Sequence, residues 1–251
     1  MDTGKSPRHL HPLQVKPTSG EPYLRLPSPH GNIIITPPRP TDVEAIVESL
    51  SDSRVWPKLA SVPHPYLPRH AQWWLGEAKE TSDNVLRELE EGFQNRGGTE
   101  LPFVGGCPVH SLREVKEDGE EVFIGDCSIV RGDDMELGEE AAKVNAEKPV
   151  GDPEIIWAIG DYLAPSHHGK GIMTAAVHTI IHDWAVPRMN THRIRVSTCK
   201  GNTGSVRVFE KNGFRLIETK EDFLTITAEG REGGPPMSLH DLEWRREKIL
   251  D

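Results

Sequence analysis

Cysteine is scarce and badly placed for chemistry. Cys107, Cys127 and Cys199 are the only three in 251 residues, they lie far apart, and no C-x-x-C pair exists. A disulfide framework and a cysteine zinc site are therefore unsupported, and the expected setting is reducing and intracellular, in the cytoplasm. Long apolar runs are also missing. Nothing approaches the roughly 18 to 20 residues a membrane span needs, and the N-terminal stretch has no apolar signal-peptide segment. An excess of basic charge is absent too: the formal net charge is −10. Binding to a phosphate backbone is excluded as the main task, so no nucleic-acid partner is expected.

Hydrophobic residues make up only 35% of the chain, so part of it is expected outside any core. Residues 1–29 are the candidate. Prolines 7, 12, 17, 22, 27 and 29 interrupt them, and they hold no sustained apolar run, so they read as a mobile tail in which only "YLRL" can form a short strand. Residues 30–251 then form one domain. Its charge is uneven. Between Gly132 and Glu154 stand eight acids and two lysines, which reads as an acidic insertion over about 131–153. Such a segment is either a solvated loop or a steering field for a cationic substrate.

Strands are expected at "NIIIT", "LPFVGGCPV", "EVFIGDCSIV", "EIIWAIGDYL", "HRIRVST", "RLIET" and "SLHDLEWRRE". Helices are expected at "TDVEAIVESL" with Thr41 as N-cap, and at "RHAQWWLGEAKETSDNVLRELEEGF" in two parts broken near Thr81 to Asp83. Two more should run from the Gly169 loop to about Val186 and through "NTGSVRVFEKNGF". This order gives a mixed α/β domain, with some parallel pairing in its second half.

The stretch "SHHGKGIMTAAV" places Gly169, Lys170 and Gly171 at the mouth of a helix. At about 100° per residue, Ile172, Met173, Ala176, Val177, Ile180, Ile181 and Trp184 share one broad face that can pack on a sheet. The first turn then directs free N–H groups, with the positive end of the helix dipole behind them, to the end of the preceding strand. Glycines let an anion approach those donors. A tight turn without a ligand uses the same residues, so the loop alone leaves both readings open. Two phosphate motifs fail: a Rossmann fingerprint needs glycine where Thr174 stands, and a P-loop needs glycine and Ser or Thr where Ala164 and Gly171 stand.

Taken with its neighbours, "DYLAPSHHGKGIM" resembles the acetyl-coenzyme A signature Q/R-x-x-G-x-G/A of the GNAT N-acetyltransferases. The run Ser-His-x-Gly-x-Gly-Ile-Met is most similar to the RimJ/RimL-like branch, which acetylates ribosomal-protein N-termini. Ser166 replaces the usual Gln or Arg. "PPRPTDVEAI", "VPHPYLPRHAQWWL" and "NTGSVRVFEKNGF" resemble other family segments in the same order, so the likeness covers most of the chain from about residue 32. It implies a central twisted mixed sheet of six to seven strands, flanked by about four helices. The fourth and fifth strands would splay so that the pantetheine arm inserts between them.

Carried over by position, the resemblance assigns coenzyme binding to Asp161, Tyr162 and Leu163 on the fourth strand. It places the diphosphate on the amides of His168, Gly169, Lys170, Gly171, Ile172 and Met173, beside Thr174, and assigns Asn202, Ser205 and Phe209 to the pantetheine region. It implies direct transfer of acetyl from acetyl-CoA to a primary amine: a protein N-terminus, a polyamine or an amine-bearing small molecule. No metal is needed. Glu154 is the candidate base, through water, with Asp161 second. Phe209 stands where many relatives carry the tyrosine that protonates the thiolate, so Ser205 or water is the candidate donor. A non-catalytic acetyl-CoA sensor is the alternative. A monomer or a homodimer would serve equally. His178 and His182 are expected in solvent, and Trp73 and Trp74 mainly in the core.

Overall fold

In the computed structural model, residues 7–247 are described. They form one sheet of nine strands: β1 (Gln14–Val15), β2 (Pro22–Arg25), β3 (Ile33–Thr36), β4 (Ser111–Val115), β5 (Glu121–Arg131), β6 (Ile156–Leu163), β7 (Arg193–Cys199), β8 (Arg215–Leu224) and β9 (Met237–Arg245). Their spatial order is β1-β2-β3-β4-β5-β6-β7-β9-β8. Every neighbouring pair is antiparallel except β6 and β7. The helices are α1 (Val43–Ser51), α2 (Pro68–Asn95), α3 (Asp134–Leu137), α4 (Glu139–Glu147), α5 (Ile172–Thr179), α6 (Val186–Met189) and α7 (Thr203–Lys211). The mixed α/β class is as expected, with two strands more than the upper count.

Those two strands come from the segment read as a tail, and this corrects that reading for residues 7–29. Leu10, Leu13, Leu24 and Leu26 are buried in the main core. Polar ties add to the apolar burial. Buried Arg188 donates to the carbonyls of His9, His11 and Pro102. Lys16 Nζ lies 2.6 Å from both Glu21 and Glu121, and Arg39 bridges the same two carboxylates. Prolines mark the corners of this segment; its leucines anchor it. Residues 1–6 lie outside the described residues.

Three further expectations change. "LPFVGGCPV" is not a strand: Pro102 and Pro108 lack N–H donors, and Val104 N donates to Arg188 O across the chain. The strand forms next door, at Ser111–Val115. Helix α2 is continuous, because Thr81 Oγ1 returns its hydrogen bond to Glu77 O and buried Ser82 bonds Pro108 O. The acidic insertion is helical over α3 and α4, not loop, and Asn145 stitches it to β6 through Ile156 N and O.

Alternation along the strands gives the sheet two working faces. Trp157, Ile159 and Leu163 join the main core with α5. Phe123 and Tyr162 join a smaller cluster with Ile46 and Leu50 of α1 and Ala71 and Leu75 of α2. Between α5 and α6 the helix widens into a π turn over Ile180–Ala185. Pro187 explains it: the ring has no N–H and would collide with the carbonyl four residues back.

Candidate active site

Strand β6 pairs with β7 at only three positions, Ile156↔Arg193, Trp157↔Ile194 and Ala158↔Arg195. From Ile159 to Leu163 the β7 side of β6 is unpaired. Over the same stretch β6 stays paired with β5, and β7 with β9. The result is a wedge between two otherwise complete halves of the sheet. Its edges carry backbone donors and acceptors, which an amide-bearing ligand can occupy as an added strand.

At the end of β6 the chain turns through Gly169 (φ 72°) and Gly171 (φ 82°) into α5. Gly171 is the N-cap residue and supplies no side-chain bond to the first turn. Among the described residues no protein acceptor pairs with the amides from Gly169 to Thr174. These donors, the dipole of the continuous helix through α6 and the exposed Lys170 make an anion cradle at the mouth of the wedge. His30, from the N-terminal segment, completes one wall: its Nε2 is 3.5 Å from where a Cβ on Gly171 would sit. Sequence reasoning missed His30, which stands at the first position past the expected tail and outside every expected motif.

His168 behaves differently from expectation. Its ring Nε2 lies 2.7 Å from Leu163 O, so the side chain ties off the end of β6. The side chains of Ile172 and Met173 are buried in the core, which leaves only their amides for a ligand. Asn202 caps α7 by accepting from Ser205 N at 3.4 Å. Phe209 is corrected as a contact residue: it is 1% exposed and packs edge-on against Phe214, with centroids 5.1 Å apart. It builds the floor beneath α7 rather than a binding surface.

The two candidate bases are far apart in environment. Glu154 is exposed on the approach to β6, five residues before Ile159, or about 16 Å of extended chain. Asp161 borders the wedge and shares the α5 face of β6 over Cys127. Burial, and then the charge of Asp126, push its carboxyl up to about 7. The structure does not bring Glu154 and Ser205 together.

On the opposite face of the wedge lie Tyr162, His110 and Asp126. His110 Nδ1 is 2.6 Å from Asp126 Oδ2, and both residues are buried. No sequence motif marked this pair, whose members are sixteen residues apart. A cavity of about 600 Å³ opens on this face beside the last β6–β7 rung. Asp134, Glu136, Glu218 and Asp241 line it against Arg195 and Lys220. Burial, then Asp133, push Glu136 up to about 7, so an arriving cation favours release of its proton. The loop before α2 is tied to the turn between β8 and β9, with His64 N donating to Glu229 O at 2.9 Å and Arg231 donating to Val62 O at 3.0 Å.

His178 and His182 are exposed. Trp73 is corrected as a core residue, being 69% exposed, while Trp74 turns inward against His110. Among the described residues no group of three or more His, Cys, Asp or Glu side chains is placed to hold a metal ion. Among the described residues no helix is long and apolar enough to cross a membrane.

The wedge and the bare glycine cradle meet at one point, and the family comparison agrees with them. The family described as "Acetyltransferase (GNAT) domain" matches residues 32–215. The chain belongs to the GNAT acetyltransferases. A probable N-acetyltransferase of Bacillus subtilis, YjcK, is 46% identical over 56 residues, which cover 22% of this chain and 30% of that protein. RimJ of Mycobacterium smegmatis, solved with a CoA disulfide, superposes with a TM-score of 0.55 at 20% identity, covering 92% of this chain and 89% of the other. The ribosomal-protein-S5-alanine acetyltransferase of Vibrio fischeri gives 0.56 at 16% identity, covering 91% and 99%. These structures share the fold of the RimJ/RimL-like branch.

Proposed function

We propose that this acetyltransferase binds acetyl-CoA and a primary amine together and transfers the acetyl group directly, in the cytoplasm. The observation that carries the reading is the wedge after Ala158↔Arg195, open beside the unpaired amides of Gly169–Thr174. In this reading the diphosphate rests on those amides, with Lys170 and Thr174 at its side. The pantetheine arm follows the free edge of Asp161, Tyr162 and Leu163, past Asn202 and Ser205. It then crosses the sheet from the α5 face to the α1–α2 face, where the thioester meets the amine.

The chemistry asks for little. An ammonium must lose a proton before its nitrogen can attack. Backbone donors on β6 stabilise the tetrahedral oxyanion. The thiolate leaves and is protonated by Ser205 or by water, while Glu154 passes protons to solvent through water. A cationic acceptor suits the cavity on the α1–α2 face, where four acidic side chains outnumber Arg195 and Lys220, the latter paired with Asp241 at 2.6 Å. A protein N-terminus, as acted on by the alanine acetyltransferase named above, fits this description, and so does a polyamine.

Thiol release from acetyl-CoA, followed across a library of N-terminal peptides beside spermidine and amino sugars, tests the reading. Turnover on at least one cationic amine is expected. Tight coenzyme binding without turnover on any of them would contradict it.

A further inference from the structure

The histidine–carboxylate pair on the acceptor face is used by none of the coenzyme-binding residues. His110 stands immediately before β4. Its own amide donates to Thr36 O at 3.0 Å, and its carbonyl accepts from Cys127 N at 2.9 Å, which fixes its backbone on both sides. Asp126 lies directly across from Tyr162 of β6, beside the open wedge, and across from Ser111 of β4. Trp74 of α2 meets the imidazole edge-on, with centroids 5.7 Å apart. Nε2 has no protein partner among the described residues. Next to the pair, the Tyr162 hydroxyl is buried without a partner.

A carboxylate on Nδ1 selects the tautomer that carries its proton there and leaves the lone pair on Nε2. The thioester arrives at this face through the wedge, beside Tyr162; the acidic cavity lies farther along the same face, at β7, β9 and β8, and His110 and Asp126 are not in its lining. We propose that His110, oriented by Asp126, is the group that takes the proton from the acceptor ammonium. The inference rests on the acetyltransferase reading above. The steps balance as follows. Nε2 accepts one ammonium proton, and the freed nitrogen pair forms the C–N bond. The C–S bond breaks and its pair leaves with sulfur. Ser205 or water protonates the thiolate and is recharged by the second nitrogen proton, and the imidazolium returns its proton to water.

The titratable groups facing the pair are few. Tyr162 and Tyr66 are held neutral, their phenols raised by burial. Asp42 is paired with Arg113 at 2.6 and 2.8 Å. Asp161 points to the other face. The thiols of Cys107 and Cys127, also close to Asp126, are raised by burial and stay neutral. Among the described residues Asp126 is the carboxylate hydrogen-bonded to His110.

The test compares the full-length protein with His110→Gln and Asp126→Asn. Thiol release is measured from pH 5.5 to 9 with an alanine-initiated peptide, spermidine and glucosamine, and acetyl-CoA affinity by calorimetry. General-base loss predicts about a 100-fold fall in kcat for both variants, with the acidic limb of the kcat–pH profile flattened. Acetyl-CoA affinity and the KM for amine should stay within about twofold. Wild-type kcat and an intact acidic limb in either folded variant would overturn the proposal. So would a loss of coenzyme affinity in parallel with kcat, which marks a structural role. If His110→Gln loses its thermal transition, Asp126→Asn carries the test. Failure of the wild type on all three amines would instead remove the acetyltransferase reading, and the base with it.

Discussion

Ala158 and Arg195 form the last rung between β6 and β7, and beyond them the two strands part although each continues for four or more residues. That one termination exposes strand edge where a ligand amide can bond, and on the proposed reading it joins the diphosphate site on one face to the acceptor site on the other.

The cradle depends on Gly171. Its φ of 82° is one that L side chains rarely adopt, and an added Cβ would meet His30 Nε2 at 3.5 Å. Gly171→Ala should cost about 1 kcal/mol in backbone strain and weaken acetyl-CoA binding about tenfold. Calorimetric titration beside thermal melting checks both numbers.

Deleting residues 1–29 removes four buried leucines from the main core and takes two of its three carbonyl partners from the Arg188 guanidinium, leaving Pro102 O. At about 1.5–3 kcal/mol per leucine, the loss is on the order of 6–12 kcal/mol, comparable to the whole stability of a domain. Denaturant unfolding of the truncated chain should show no cooperative transition, or one at a much lower midpoint.

This segment also shows where sequence reading reached its limit. Periodicity and turn residues were enough for β3, α1, β6, α5, β7 and α7, because each buries its apolar residues locally and in regular spacing. The glycine loop was legible for the same reason. The N-terminal leucines are spaced irregularly among prolines, and their burial depends on Arg188 and on strands far away in the chain. The same holds for the acceptor face. His110 and Asp126 meet only because β4 and β5 pair with a bulge near Leu112/Arg113, and no local pattern records that register.

Asp161 gives a pH signature. Its carboxyl is raised to about 7 by burial and then by Asp126, far above the unfolded value. The folded state therefore binds a proton that the unfolded chain releases between about pH 4 and 7, and stability falls as pH rises through that window. Asp161→Asn removes the penalty. The variant should match the wild type near pH 4 and exceed it at pH 8, by on the order of 4 kcal/mol. Urea unfolding at the two pH values provides the comparison.

Ser205→Ala separates proton donation from binding. If Ser205 protonates the departing thiolate, kcat at saturating amine falls about tenfold and the KM for acetyl-CoA barely moves. Glu154→Gln, on the exposed approach to β6, should change kcat by no more than about threefold. Steady-state kinetics on the amine that gives the best turnover measures both.

The central claim is that one coenzyme grips the amides of Gly169–Thr174 and threads the wedge beyond Ala158. Residue-resolved amide NMR during titration with coenzyme A addresses it directly. The account predicts that amides 169–174 and 159–163 shift together, with one affinity, and gain protection from hydrogen exchange. Saturation of the protein with both sets of amides unmoved would contradict it.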